Sequence, residues 1–289
     1  MNYLQQRLKE LGVTDKQNKY KAVNIDKKQQ EFTFFTSDSN DNVVINYLTP
    51  SGEIEYFSQG KKVLPFTRTR LKNPENPKYK YHQEKGTGII PFSTPKIIEA
   101  YKKGEKVKTL YITEGEFKAF SVDQNKLVCF GIGGIHNFKD KNKNNVHPYI
   151  YSFIEKCKVE NVVILFDADC LKVEFQEGKE LTTRLNSFYS ALNNFNEFLK
   201  PLDVSVYFAH IDTKSEQKGI DDVLSHVKDK DTVIDELKSL TVNNDARKYI
   251  KTYKITGISP YLILKIFGLD SVQTFFQLNF ELLHDKEFI

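Results

Sequence analysis

Residues 109–115, TLYITEG, and residues 161–169, NVVILFDAD, decide the fold. Each is a short apolar run that ends abruptly in acid. Continuous apolar runs of this length predict strands covered on both faces, the signature of a parallel sheet. Between and after them the pattern alternates. Phe117–Val122 predicts a helix, and Leu127–Ile132 a strand that ends in the glycine turn Gly131-Ile-Gly-Gly134. Pro148–Cys157 predicts a second helix, and Ser187–Leu199 an amphipathic third, broken by Pro201. Val204–Ala209 predicts a fourth strand. The expected fold class is therefore α/β, with a mainly parallel four-stranded sheet between helices.

Outward from this centre the chain changes character. Met1–Leu11 has Leu4, Leu8 and Leu11 spaced for one helical face, with Gly12 as a stop. Glu31–Thr36, Val43–Leu48 and Ile54–Phe57 predict strands, and Pro50-Ser51-Gly52 a hairpin turn. Thr67–Leu71 predicts one more strand, and Asn73–Gly88 an extended loop. These read as a small β-rich α+β domain over 1–95, ahead of an α/β domain over 106–229. Residues 230–289 read as a helical tail, with a break at Ile255–Ser259 and an apolar finish at Phe275, Phe276, Leu278, Phe280 and Leu282.

Composition narrows the function classes. Hydrophobic residues make up 39% and charged residues 28%, which suits a globular chain with its own core. No apolar run is long enough to cross a membrane and no signal-peptide core precedes the first helix. Cys129, Cys157 and Cys170 form no Cys-x-x-Cys pair, so neither a zinc ribbon nor a disulfide framework is expected, and a reducing cytoplasm fits. The net charge of +4 is unevenly spread: residues 1–105 hold 18 Lys/Arg against 12 Asp/Glu, and the remainder 24 against 26. A basic front and an acid-bearing back suit a protein that grips a polyanion and brings carboxylates to it. A solvated lysine-rich surface would give the same balance.

Sites on parallel sheets form outside the carboxyl ends of the strands, and the acids fall there. Glu114 follows one strand; Asp167 and Asp169 follow another, pointing to one side if strand geometry persists. Three converging carboxylates repel one another unless a cation neutralises them. Their hard oxygens favour Mg²⁺ or Mn²⁺, an ion that completes its shell with water and phosphates. The expected chemistry is phosphoryl transfer. A helix-terminal acid at Glu114 and a cap or turn at the aspartates are the plainer alternatives.

The segment "LYITEGEFKAFSV…LVCFGIGGIHNF…VVILFDADC…KGIDDVL" resembles the Toprim (topoisomerase–primase) domain. That resemblance implies a Rossmann-like sheet with Mg²⁺ or Mn²⁺ held by Glu114, Asp167 and Asp169, beside Gly115. Asp221 or Asp222 stands where the primase branch has a further acidic motif. Upstream, "NYLTPSGEIEYF" and "TRTRLKNPENPKYKYHQEKGTGIIPF" are similar to the small domain that precedes Toprim in bacterial-type primases. This implies contact of Arg68, Arg70, Lys72, Lys78 and Lys80 with template or nucleotide. The whole is most like Toprim primase portions of plasmids, phages and other mobile elements, often fused to a replicative helicase. The implied activity is primer synthesis in DNA replication from nucleoside triphosphates on single-stranded DNA. The family also includes metal-dependent nucleases, and a non-catalytic nucleic-acid-binding accessory of a helicase is the third reading.

Other residues have two readings each. Gly133 and Gly134 suit either backbone contact with phosphate or a tight β–α turn. Lys78-Tyr79-Lys80-Tyr81 suits stacking of bases between cations, or a strand with one packed face. Lys118, one helical turn after Glu114, suits the same cleft or plain surface. His136 suits substrate contact or a capping role. Cys170 is a poor match to Mg²⁺.

Overall fold

A computed structural model describes residues 1–76, 79–140, 145–167, 182–212, 217, 219–240 and 247–256. In chain order these form α1 (Tyr3–Glu10), β1 (Lys19–Val23), β2 (Gln29–Thr33), β3 (Phe35–Ser37), β4 (Val43–Asn46), β5 (Tyr56–Gln59), β6 (Lys62–Pro65), β7 (Thr67–Arg70), β8 (Tyr81–Gln83) and β9 (Phe92–Ser93). There follow α2 (Pro95–Lys103), β10 (Thr109–Glu114), α3 (Glu116–Gln124), β11 (Val128–Ile132), α4 (Pro148–Cys157), β12 (Asn161–Phe166), α5 (Thr182–Leu199), β13 (Ser205–Ile211), α6 (Ile220–His226), α7 (Lys230–Ser239) and β14 (Ile250–Ile255).

The central sheet has the order β14-β13-β12-β10-β11-β9. Its four inner strands are parallel, and both edge strands run antiparallel. Side-chain alternation explains why helices cover both faces. Leu110, Ile112, Val162, Ile164, Phe166, Val206 and Phe208 point into one core; Tyr111, Val163, Leu165, Ala209 and Ile211 point into the other. The first core is closed by α2, α4 and α5, through Ile97, Ile150, Phe153, Leu192 and Phe195. The second is closed by α3, α6 and α7, through Phe117, Phe120, Val223, Leu224 and Leu237.

The expected parallel sheet is present, with two corrections. It has six strands rather than four, because short antiparallel segments close its edges. The helical reading of 230–289 holds for α7 but fails at β14. There Ile250, Thr252 and Ile255 are buried, while Lys251 and Lys254 are not. Ile250 packs into one core and Ile255 into the other, so both faces of the strand are used, while its lysines reach solvent as edge strands favour. The expected break beginning at Ile255 and the apolar finish lie mostly or wholly beyond the described residues. Asn73–Gly88 likewise contains a strand, β8, which completes a four-stranded antiparallel sheet of order β3-β4-β7-β8. Hairpins β1–β2 and β5–β6 flank it.

The β-rich front shares the second core instead of keeping one of its own. Phe35 stacks on Phe117 of α3 with ring centroids 4.8 Å apart, and Phe34 meets Phe120 edge-on at 5.3 Å. Tyr47 and Phe92 complete the cluster. This aromatic seam lays β7 and β8 against the start of α3, and so against the carboxyl ends of the parallel strands. Among the described residues no helix is long and apolar enough to cross a membrane.

One buried acid tunes stability. Asp123, near the end of α3, is 2% exposed and accepts a hydrogen bond from the Lys96 backbone N–H at the start of α2 (2.8 Å). Burial pushes its carboxyl up from 3.8 to about 7. Between those two pH values the folded chain keeps a proton that the unfolded chain has released. The stability this group contributes is complete below pH 3.8 and has been lost once pH passes 7. Asp123→Asn keeps an acceptor for Lys96 and removes the titration. Relative to it, the native chain should lose on the order of 3–4 kcal/mol between pH 4 and pH 8. Urea unfolding of both proteins across that range checks it; parallel curves would rule it out.

Candidate nucleotide and metal cleft

The chain leaves β10 at Glu114 and enters α3 at once, turning on Gly115. That residue has φ +99°, a conformation that side chains resist. Its backbone N–H donates to the Ile132 carbonyl (2.8 Å), locking the turn to the end of β11. Gly131 makes the approach possible. A Cβ there would lie 3.0 Å from the Gly115 carbonyl oxygen and 3.1 Å from the Ala119 Cβ. Glu114 and the first turn of α3 are thereby held at one end of the sheet.

A cleft of about 710 Å³ opens at this end. The acidic part of its lining comes from Glu114 at the end of β10, Asp167 just past β12, and Asp221 and Asp222 of α6, with Lys118 of α3 among them. The basic part comes from Arg7 of α1, Arg68 and Arg70 of β7, and Lys80 just before β8, with Tyr81 beside them. Acids and cations thus line one space large enough for a nucleotide.

In the acidic part Lys118 forms an ion pair with Asp167. Burial disfavours its charge, but Asp167, Asp221 and Glu114 outweigh that and raise its pKa. The point where Gly219 would carry a Cβ lies 2.6 Å from Asp221 Oδ1 and 3.2 Å from Asp167 Oδ1. Those oxygens therefore cannot be farther apart than the sum of the two distances. Lys118 Cε is 3.0 Å from the same point. Asp221 is 9% exposed, and its Oδ1 has no hydrogen-bond partner among the described residues. Burial raises its pKa and Asp222 adds to this, against the pull of Lys118. Asp222 is exposed at the rim. Of the two aspartates left open by the sequence, Asp221 is the one turned into the cluster.

The hard carboxylate oxygens and the orphaned Asp221 Oδ1 fit a divalent cation of the Mg²⁺ type. Among the described residues, however, no group of three or more His, Cys, Asp or Glu side chains is arranged to hold a metal. Lys118 stands against Asp167 instead. Asp169 and Lys78 lie outside the described residues, as do Ala168 and Cys170.

The basic part is built on a residue that sequence reasoning missed. Glu116, two positions after Glu114, is 1% exposed; it pairs with Arg68 and accepts a hydrogen bond from the Tyr47 hydroxyl. Burial works against the Arg68 charge, yet Glu116 and Tyr47 raise its pKa further. The guanidinium lies over the Tyr81 ring (4.8 Å) and against Gly133, where a Cβ would sit 2.6 Å from Arg68 Nη1. Gly133 therefore seats an arginine. Gly134 faces Asn137, whose Nδ2 would lie 3.4 Å from an added Cβ. Arg70 receives support from the hydroxyls of Tyr3 (3.0 Å) and Tyr81 (2.9 Å) and lies over Phe117. Arg7 also lies over Phe117 (5.3 Å), a contact that no spacing in α1 announced.

Two other expected residues sit elsewhere. Lys72 pairs with Asp41 (2.8 Å) and lines a separate hollow with Asn42 and Tyr79. His136 shares a hydrogen bond with Ser187 (2.9 Å), and burial lowers its pKa.

A family model described as a domain of unknown function, DUF3854, matches residues 102–231. The chain is structurally similar to primase catalytic cores at low identity. It is 15% identical to the Aquifex aeolicus primase (zinc-binding and RNA polymerase domains), covering 78% of this chain and 44% of that one, with a TM-score of 0.42. For the DnaG primase catalytic domain bound to ssDNA the values are 14%, 81%, 58% and 0.43. For the E. coli primase catalytic core they are 13%, 81%, 59% and 0.40. The chain thus spans about half the length of these solved structures. A search of curated proteins finds no match.

Proposed function

We propose that this chain is a divalent-metal-dependent nucleotidyltransferase of the primase kind, joining nucleoside triphosphates on a single-stranded template. The observation that carries the reading is the shared lining of one cleft. Glu114, Asp167 and Asp221 line it together with Arg7, Arg68, Arg70 and Lys80, at the carboxyl end of a parallel sheet. A substrate with a polyphosphate tail, carried by a metal ion and bound by cations, matches both sets of charges.

Glu114, Asp167 and Asp221, with Asp169, are the residues that would hold Mg²⁺ or Mn²⁺. Such an ion, when bound, neutralises phosphate charge and lowers the pKa of a hydroxyl nucleophile. The arginines bind phosphate oxygens in fixed forks, because Tyr3, Tyr81 and Glu116 hold them in place before substrate arrives. The rings of Tyr81 and Phe117 are already covered by guanidinium groups, so within the cleft a base would meet the flat faces of those guanidiniums first. If it is freed from the metal, Glu114 instead acts as the general base that takes the proton of an attacking 3′-hydroxyl.

Incubation with Mg²⁺ or Mn²⁺, single-stranded DNA and labelled nucleoside triphosphates tests the reading. Oligomer synthesis supports it. Shortening of the template points to a nuclease using the same acids, and neither outcome leaves a binding module. Binding has its own test. Lys80 is exposed on the cleft rim, so Lys80→Ala should weaken binding of single-stranded DNA and lower the salt slope by about 0.7. Lys72→Ala, outside the cleft, should leave that slope unchanged. Equal effects of the two variants would count against the cleft as the nucleic-acid path.

A further inference from the structure

Lys118 has no place in the chemistry just described, yet it stands among the acids of the cleft. Its ammonium pairs with Asp167 through Oδ2. The other Asp167 oxygen faces the same point as Asp221 Oδ1, and Lys118 Cε borders that point. Glu114 is close enough to act on its charge. A Cβ at position 219 would crowd this contact and push the Asp221 carboxylate or the Lys118 stem aside. Asp221 is turned in and buried, and its Oδ1 has no hydrogen-bond partner among the described residues, so this oxygen is available to a cation.

We propose that Lys118 is the built-in counter-ion of this carboxylate cluster, and that a divalent metal enters by displacing its ammonium from Asp167. The inference rests on the metal-dependent reading of the cleft. Its basis is competition for the same oxygens. An ammonium and a divalent ion both require anionic oxygen, and Asp167 cannot serve Lys118 and a metal with full strength at once. Charge sets the direction. Lys118 supplies a positive charge felt by Asp167, Asp221 and Glu114, and its loss leaves all three in a more negative surrounding. Removing the ammonium leaves like charges crowded in a partly buried space, and a divalent ion then gains more by binding. Lys118 is in this sense a positioning residue. It keeps the acids together before the metal arrives and sets how much metal is needed. Once displaced, its flexible stem leaves the ammonium within the cleft, on the side where a phosphate would lie.

The test measures binding without turnover. Mn²⁺ is titrated into the full chain with no nucleotide present, and free Mn²⁺ is read by electron paramagnetic resonance. Lys118→Met should bind Mn²⁺ at least ten times more tightly than the native chain. Lys118→Arg, which keeps the charge, should bind no more tightly than the native chain. If methionine is not tolerated in the fold, Lys118→Gln carries the same expectation, and thermal unfolding confirms that each variant is folded. Equal or weaker Mn²⁺ affinity in the neutral variants overturns the counter-ion role. If Asp167→Asn abolishes Mn²⁺ binding in that case, the metal reading stands while the role of Lys118 falls. Absence of Mn²⁺ binding in every variant removes both.

Discussion

Glu116→Ala should destabilise the folded chain by about 3–5 kcal/mol, the usual cost of stripping one partner from a buried ion pair. Glu116 is 1% exposed and the Arg68 side chain 13%. Removing the carboxylate leaves the guanidinium without its counter-charge and the Tyr47 hydroxyl without its acceptor. Arg68 could recover some solvation by leaning into the cleft, which makes the lower end of that range the firmer expectation. Glu116→Gln should cost less, because the amide oxygen still accepts from Tyr47. The pair is not tuned for stability alone. Glu116 Oε2 and Arg68 Nε both lack partners among the described residues, and an apolar pair of similar volume avoids that cost. Arg68→Met with Glu116→Leu should therefore recover most of the stability lost in Glu116→Ala while losing affinity for nucleoside triphosphates. Urea titration of the single and double variants measures the coupling. A coupling energy near zero would show that the pair does not hold Arg68 in place.

Asp167→Asn is expected to have the largest effect on activity. Loss of groups that merely orient a metal ligand costs about 10–100-fold, so loss of a ligand itself should lower primer synthesis by at least ~100-fold. Stability should fall by less than in Glu116→Ala. The Lys118 and Asp167 side chains are 20% and 19% exposed, so the ammonium keeps some solvent as well as Asp221 and Glu114 when the pair is broken. The substitution also removes one of the crowded negative charges, leaving Lys118 to Asp221 and Glu114. The diagnostic result is thus a folded protein that unfolds cooperatively but gives no synthesis. Synthesis within a few-fold of the native rate would place the chemistry elsewhere in the cleft.

The two pH-sensitive acids differ in kind. Asp123 is sealed in the core and is raised by burial to about 7. Asp221 is raised by burial and by Asp222, but it opens on the cleft beside Lys118. The first acts on stability alone. The second belongs to the proposed metal cluster, where a bound cation would hold it ionised.

The sequence alone determined the parallel core of the fold. Apolar runs such as 162–166 can satisfy their side chains only when both faces are covered, and that forces helices onto both sides. It also determined that Glu114 and Asp167 fall at the same end of the sheet, because parallel strands place their carboxyl ends together. Tertiary structure decided what local pattern could not carry. Strand β14 was hidden because its buried residues fall on both faces among lysines, with no regular period, and make sense only beside β13. Glu116 read as an ordinary acid in a first helical turn, since nothing nearby in sequence reveals that Arg68 and Tyr47 come from a distant sheet to meet it. Lys72 and Lys80 looked alike as cations of one basic stretch, yet one pairs with Asp41 and the other edges the cleft. Periodicity reports which face of an element is buried; which charge meets which depends on elements packed tens of residues apart, and only their docking sets it.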